Sequence, residues 1–245
     1  MSIGRRNFLA GAIAAPLLAS AAEAETWQEK WNRELLEDFA MLGRYGDANS
    51  KLLAGKQPVD IVFMGDSITE GWKDKRPGFW RPGRVNRGIS GQTTAQMVLR
   101  MVPDVIDLRP RAVHIMGGTN DIAGNTGPMT PDMTRDNIQA MVALARHHGL
   151  KVILATIPPA ENFPWRPGLA TVSRIRELNA WIRGFARREA VTLIDYDRVL
   201  ATPAGAMRPG LAFDGVHPTE AGYDAMASLA EPALARVLGR RRARK

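Results

Sequence analysis

The chain has 245 residues, 45% hydrophobic and 24% charged, with 33 Lys and Arg against 25 Asp and Glu for a formal charge of +8. That length holds one substantial core rather than two full domains, and the composition excludes a disordered or fibrous chain. The absence of cysteine removes disulfides, a thiol nucleophile and cysteine metal sites, and because Arg240, Arg241, Arg242, Arg244 and Lys245 crowd the last six residues, the positive excess reads as a solvated tail rather than a nucleic-acid surface.

In chain order, residues 1–24 read as an export signal. Arg5-Arg6 precede Asn7-Phe8-Leu9, an Ala-rich apolar stretch follows, and Ala22-Glu23-Ala24 is an A-x-A cleavage site. Ser2 to Leu9 is similar to the twin-arginine type. The apolar run is short for a bilayer and is interrupted by Pro16, so no stable membrane span is expected and the mature chain should begin near Glu25, periplasmic or secreted. Residues 25–57 form an N-terminal helical extension: from Thr26 to about Leu53, Trp27, Trp31, Leu35 and Phe39 recur every fourth residue and make one apolar stripe.

Alternating strands and helices follow. Strands are expected at Val59–Met64, around Arg84-Val85-Asn86, at Ala112–Met116, Lys151–Ile157 and Val191–Asp195. Helices are expected after Ser67, over 93–107 with a bend at Pro103, from Pro131 to near His148 with Thr130 as N-cap, over 171–189, and from Thr219 to about Leu238. Short apolar strands separated by helices imply a parallel sheet covered on both faces, with the site beyond the carboxyl ends of the strands.

Four segments lie at or near those ends. Ser67, in Gly65-Asp66-Ser67, stands where a strand turns into a helix; its hydroxyl is a candidate nucleophile, though on position alone the plainer reading is an N-cap. Gly91 lies in a turn-rich loop and offers an unobstructed backbone N–H, or is plain turn chemistry. Asn120 follows Gly117-Gly118 and carries an amide donor for an oxyanion, or closes an Asx turn. Asp214-Gly215-Val216-His217 is the most specific: of the four histidines only His217 has a carboxylate three residues ahead of it in a loop before a helix, a spacing that lets Asp214 reach Nδ1 while Nε2 faces a serine. No metal-binding histidine motif and no phosphate-cradling glycine loop is present, so neither metal nor organic cofactor is expected.

These segments resemble the four blocks of the GDSL/SGNH hydrolase superfamily, whose name lists Ser, Gly, Asn and His. Met64–Thr69 resembles the first block, Asn86–Gly91 the second, Gly117–Asp121 the third and Asp214–Pro218 the fourth, over about residues 58–235. Gln92 departs from the pattern, standing where many relatives carry an acidic residue. The resemblance implies a flavodoxin-like three-layer α/β/α sandwich with a five-stranded parallel sheet, filling a hydrolase domain at 58–238 ahead of a basic tail at 239–245. It further implies a serine esterase similar to the platelet-activating-factor acetylhydrolase-like group of secreted bacterial esterases. Ser67, His217 and Asp214 would be its triad, and the backbone N–H groups of Ser67 and Gly91 with the Asn120 amide would form its oxyanion hole.

Short acyl or acetyl esters, as small molecules or on polysaccharides, are the expected substrates, because long lid-forming insertions are missing. Aromatic and basic residues are dense after the nucleophile and after a later strand. Trp72, Trp80 and Trp165 are the candidate substrate contacts, against the plainer reading that they pack loops onto the body. The alternatives are a carbohydrate O-acetyl esterase, a lysophospholipase or thioesterase, and a non-catalytic envelope carbohydrate-binding protein on the same scaffold.

Overall fold

The computed structural model describes residues 26–239. The export signal expected at 1–24 and the charged residues of the tail at 240–245 lie outside the described residues. Five strands, β1 (Ile61–Gly65), β2 (Arg84–Gly88), β3 (Ala112–Met116), β4 (Lys151–Ala155) and β5 (Thr192–Ile194), form one all-parallel sheet in the order β2-β1-β3-β4-β5. This is the α/β sandwich expected. Every residue of β1 and β3 is buried, as apolar strands covered on both faces must be.

Nine α-helices surround the sheet among the described residues: α1 (Trp27–Glu37), α2 (Gly46–Ala54), α3 (Ser67–Lys75), α4 (Thr94–Met101), α5 (Thr119–Ala123), α6 (Pro131–His147), α7 (Thr171–Arg188), α8 (Asp197–Leu200) and α9 (Glu220–Leu238). The chain steps from β1 outward to β2, then crosses back and proceeds through β3, β4 and β5 in the other direction. Right-handed crossovers therefore place α3 on one face and α4, α6 and α7 on the other. Helix α9 returns to the face of α3, where Tyr223 donates to the Ile68 carbonyl at 2.8 Å and stacks on Trp72. The connections leaving β1 and β3 run in opposite directions, so the gap between the carboxyl ends of these two neighbours is the topological switch point, where such sheets open a crevice.

Two helices differ from expectation. The single helix anticipated from Thr26 to Leu53 is two, α1 and α2, joined by a 3₁₀ turn at Leu42–Tyr45. Met41 takes a left-handed conformation (φ 52°) and the Asp38 carboxylate accepts the Gly43 N–H at 2.9 Å, so the chain turns where the apolar stripe predicted continuity. Trp31 is buried, Leu35 half-buried and Phe39 exposed. Helix α4 ends at Met101 and runs on as a π-helical turn, Val102–Ile106, because Pro103 has no N–H to donate to a helical ladder.

Candidate active site

Strand β1 delivers the chain to the switch point, where Asp66 caps α3 by accepting the Ile68 N–H at 3.0 Å, so that Ser67 is the first residue of the helix. The first amides of a helix have no intrahelical acceptor, and the local dipole favours negative charge there. The Asp66 carboxyl is buried, and that burial pushes its pKa up to about 6 against the opposing Ile68 hydrogen bond.

The loop Ala212–Pro218, closed by a bridge between its ends, presents the second part of the site. Asp214 Oδ1 accepts the backbone N–H groups of Val216 at 3.0 Å and His217 at 2.7 Å, while Oδ2 lies 2.7 Å from His217 Nδ1. Burial alone would raise the pKa of Asp214, but the His217 and Val216 hydrogen bonds outweigh it and the net shift is downward. The side chain is thus a carboxylate that only accepts, so Nδ1 donates and Nε2 keeps its lone pair. Nε2 lies 2.9 Å from Ser67 Oγ, across 150 residues of sequence. A hydroxyl, a base and a carboxylate that orients the base are within hydrogen-bond reach of one another.

Gly91 lies in the loop between β2 and α4, and Asn120 in the first turn of α5 just beyond β3. The Asn120 amide donates one hydrogen to the Gln92 carbonyl at 3.0 Å, and its Oδ1 accepts from Asn125 Nδ2 at 2.9 Å. This fixes the amide orientation and leaves a second N–H on Nδ2. Asn125 also donates to the Gly91 carbonyl at 3.0 Å, and its Oδ1 accepts from Trp165 Nε1 at 3.3 Å. The structure thus draws the loops after β1, β2 and β3 and the loop before α9 to one end of the sheet.

The three tryptophans separate. Trp165 stands beside the site, its ring 5.9 Å from that of His217 and stacked on buried Phe163 at 5.1 Å. Trp72 is a correction: it is fully buried between Phe79 (4.5 Å) and Tyr223 (5.4 Å), both stacked, and contacts no substrate space. Trp80 is half-buried and joins the same cluster, edge-on to Phe63 at 5.0 Å and to Trp72 at 6.2 Å, near the amino ends of the strands and away from the site. Both are drawn in because α3 is amphipathic and the following 3₁₀ turn folds back beneath it.

Sequence reasoning missed two residues. Phe213, 66% exposed, stacks on the His217 ring at 5.7 Å with Lys75 5.8 Å above it; its position next to Asp214 was the available signal. Asn125 had no signal, since its importance rests on contacts with a loop 34 residues away. Among the described residues no cluster of His, Asp or Glu is placed to hold a metal ion.

Residues 63–225, which contain Ser67, Gly91, Asn120, Asp214 and His217, match the model of the GDSL-like lipase/acylhydrolase family. The chain belongs to this family. As a GDSL-like acylhydrolase it is a hydrolytic esterase, and its fold is that of solved relatives. A GDSL-like lipase from Bacteroides thetaiotaomicron superposes with a TM-score of 0.77 and 41% identity over 81% of this chain and 99% of that one. A proposed acylhydrolase from Bacteroides fragilis matches with a TM-score of 0.77 and 40% identity over 82% and 99%. Among curated proteins, an uncharacterized lipoprotein of Bacillus subtilis, YqeF, is 40% identical over 123 residues, 43% of this chain and 51% of its own length; this chain therefore spans about half of that relative.

Proposed function

We propose that this GDSL-like acylhydrolase cleaves short acyl esters through an acyl-enzyme on Ser67. The observation that carries the reading is the pair of contacts on one imidazole: Nε2 2.9 Å from Ser67 Oγ and Nδ1 2.7 Å from Asp214 Oδ2. His217 takes the Ser67 proton as Oγ attacks the ester carbonyl, and Asp214 holds the tautomer and stabilises the imidazolium that forms. The tetrahedral oxyanion is met by the backbone N–H groups of Ser67 and Gly91 and by the free N–H of Asn120. His217 then protonates the departing alcohol, and a water activated by the same ring releases the acid.

Trp165 and Phe213 flank the imidazole and form apolar walls for a small acyl or sugar group. This supports short esters, with an O-acetylated carbohydrate as the second reading. We further propose an envelope or exported location, supported by the lipoprotein relative and by the N-terminal signal pattern. No helix among the described residues is long and apolar enough to cross a membrane.

Hydrolysis of p-nitrophenyl acetate, butyrate and a long-chain ester by the wild type and Ser67→Ala tests both parts. The wild type should favour the shorter esters, and Ser67→Ala should lose about 10⁴-fold or more in kcat. Equal rates for the two proteins would reject the nucleophile, and a long-chain preference would reject the substrate class.

A further inference from the structure

The oxyanion loop is held in part from outside the segment that matches the family. That match begins at residue 63, yet Trp31, Ala40, Met41 and Tyr45 reach Gly88, Ile89, Gly91 and Gln92. Gly91 has φ +80°, and a Cβ there would lie 2.9 Å from the Trp31 ring, so the indole, 5% exposed, presses flush against the glycine backbone. Trp31, Met41 and Ile89, with Leu35 and Tyr45 packed around them, form a small apolar core separate from the main one. Ile89 is its sole contribution from outside the extension, so this core holds the oxyanion loop and no strand of the sheet.

Polar contacts repeat the pattern. Tyr45 donates to the Gly88 carbonyl at 2.5 Å. Arg44 bonds Glu70 at 2.8 Å, and the other Glu70 oxygen accepts both the Ser90 N–H at 2.8 Å and the Ser90 hydroxyl at 2.6 Å. Gln92, fully buried, donates Nε2 to the Ala40 carbonyl at 2.8 Å, while Gln96 donates to the Phe39 carbonyl at 2.6 Å. The Gln92 carbonyl in turn accepts the Asn120 amide, so one residue ties the extension to both non-serine oxyanion donors. A carboxylate at position 92 has no hydrogen to give Ala40, which accounts physically for an amide at this position.

We infer that the extension is a clamp on the oxyanion hole, with Trp31 and Gln92 as positioning residues. The inference rests on the proposed roles of Gly91 and Asn120. A donor aimed at developing charge serves catalysis only while its direction is fixed, and displacements of about 1 Å cost up to ~10²-fold. Loosening the loop therefore lowers kcat while leaving ester binding in the ground state nearly unchanged.

The test is steady-state hydrolysis of p-nitrophenyl acetate by the full chain carrying Trp31→Ala, Trp31→Phe, Gln92→Glu, Leu36→Ala or Ser67→Ala, with thermal melting of each. Trp31→Ala and Gln92→Glu should lose about 10- to 100-fold in kcat with KM within about twofold, and Trp31→Phe should recover most of the loss. Leu36, 89% exposed on the same helix, should be neutral. A folded Trp31→Ala with kcat within twofold of wild type overturns the clamp. If Trp31→Ala does not fold, wild-type kcat in a folded Gln92→Glu overturns it. If Ser67→Ala is as active as wild type, the underlying mechanism fails; if it is inactive while the positioning variants are unaffected, only the clamp fails.

Discussion

Burial of one carboxyl gives the site a pH signature. Asp66 sits beside Ser67, 2% exposed, with its pKa pushed from 3.8 to about 6. In the unfolded chain this group ionises near its ordinary value; in the folded protein it keeps its proton until the pH is some two units higher. The folded state is thus favoured below pH 3.8, and that advantage, up to about 3 kcal/mol, is withdrawn as pH rises through about 6. Asn at this position retains an acceptor for the Ile68 N–H and never ionises. Denaturant unfolding should show Asp66→Asn gaining on the wild type between about pH 4 and pH 7. A constant difference across that window would contradict the assignment. The same residue shows what sequence can convey: a capped strand-to-helix junction was readable, but the cap was read at Ser67 whereas it is Asp66, and the burial of Asp66, with the charges of His217 and Asp121 acting on it, comes from distant segments. Asp214 and His217 were readable because three residues separate them and their geometry is local. Asn125 was not, since its contacts lie in a loop 34 residues away, and for Trp72 and Trp80 the choice between packing and substrate contact stayed open because it depends on Phe79 and Tyr223 closing over them.

At the scale of elements, close approach of α3 to β2 sets the position of the nucleophile. A Cβ on Gly88 would lie 2.2 Å from the Glu70 backbone nitrogen, and no side-chain rotation relieves such a contact. Gly88→Ala should cost about 3 kcal/mol in denaturant unfolding, and because α3 carries Ser67, activity should fall further than the fraction unfolded explains. A variant with wild-type stability would show that the helix shifts freely. Strand positions were legible from their apolar runs, and β3 falls where it was expected. Helix continuity in the extension was not. A four-residue stripe says which face is apolar, but the break at Asp38–Met41 follows from a side-chain bond to Gly43 and a left-handed residue that periodicity does not register.

For the whole molecule, the parallel sheet was legible because alternating short strands and helices admit few other packings. The sheet and the small core around Trp31, Met41 and Ile89 are joined through loops rather than a shared interior. Proteins open in cooperative units of unequal stability, and a cluster of three buried apolar side chains is a weak one. The enzyme should therefore have two thresholds on denaturation. Amides of α1 should exchange with deuterium through a small local opening, while those of β1 and β3 exchange only on global unfolding. The urea midpoint for loss of activity should lie below that for loss of far-ultraviolet circular dichroism, and coincident midpoints would make the two cores one cooperative unit. The separate packing of the α1 segment thus amounts to a fuse: under stress the protein would fall silent while still folded, and regain its rate when that segment settles back, without the sheet having opened at all.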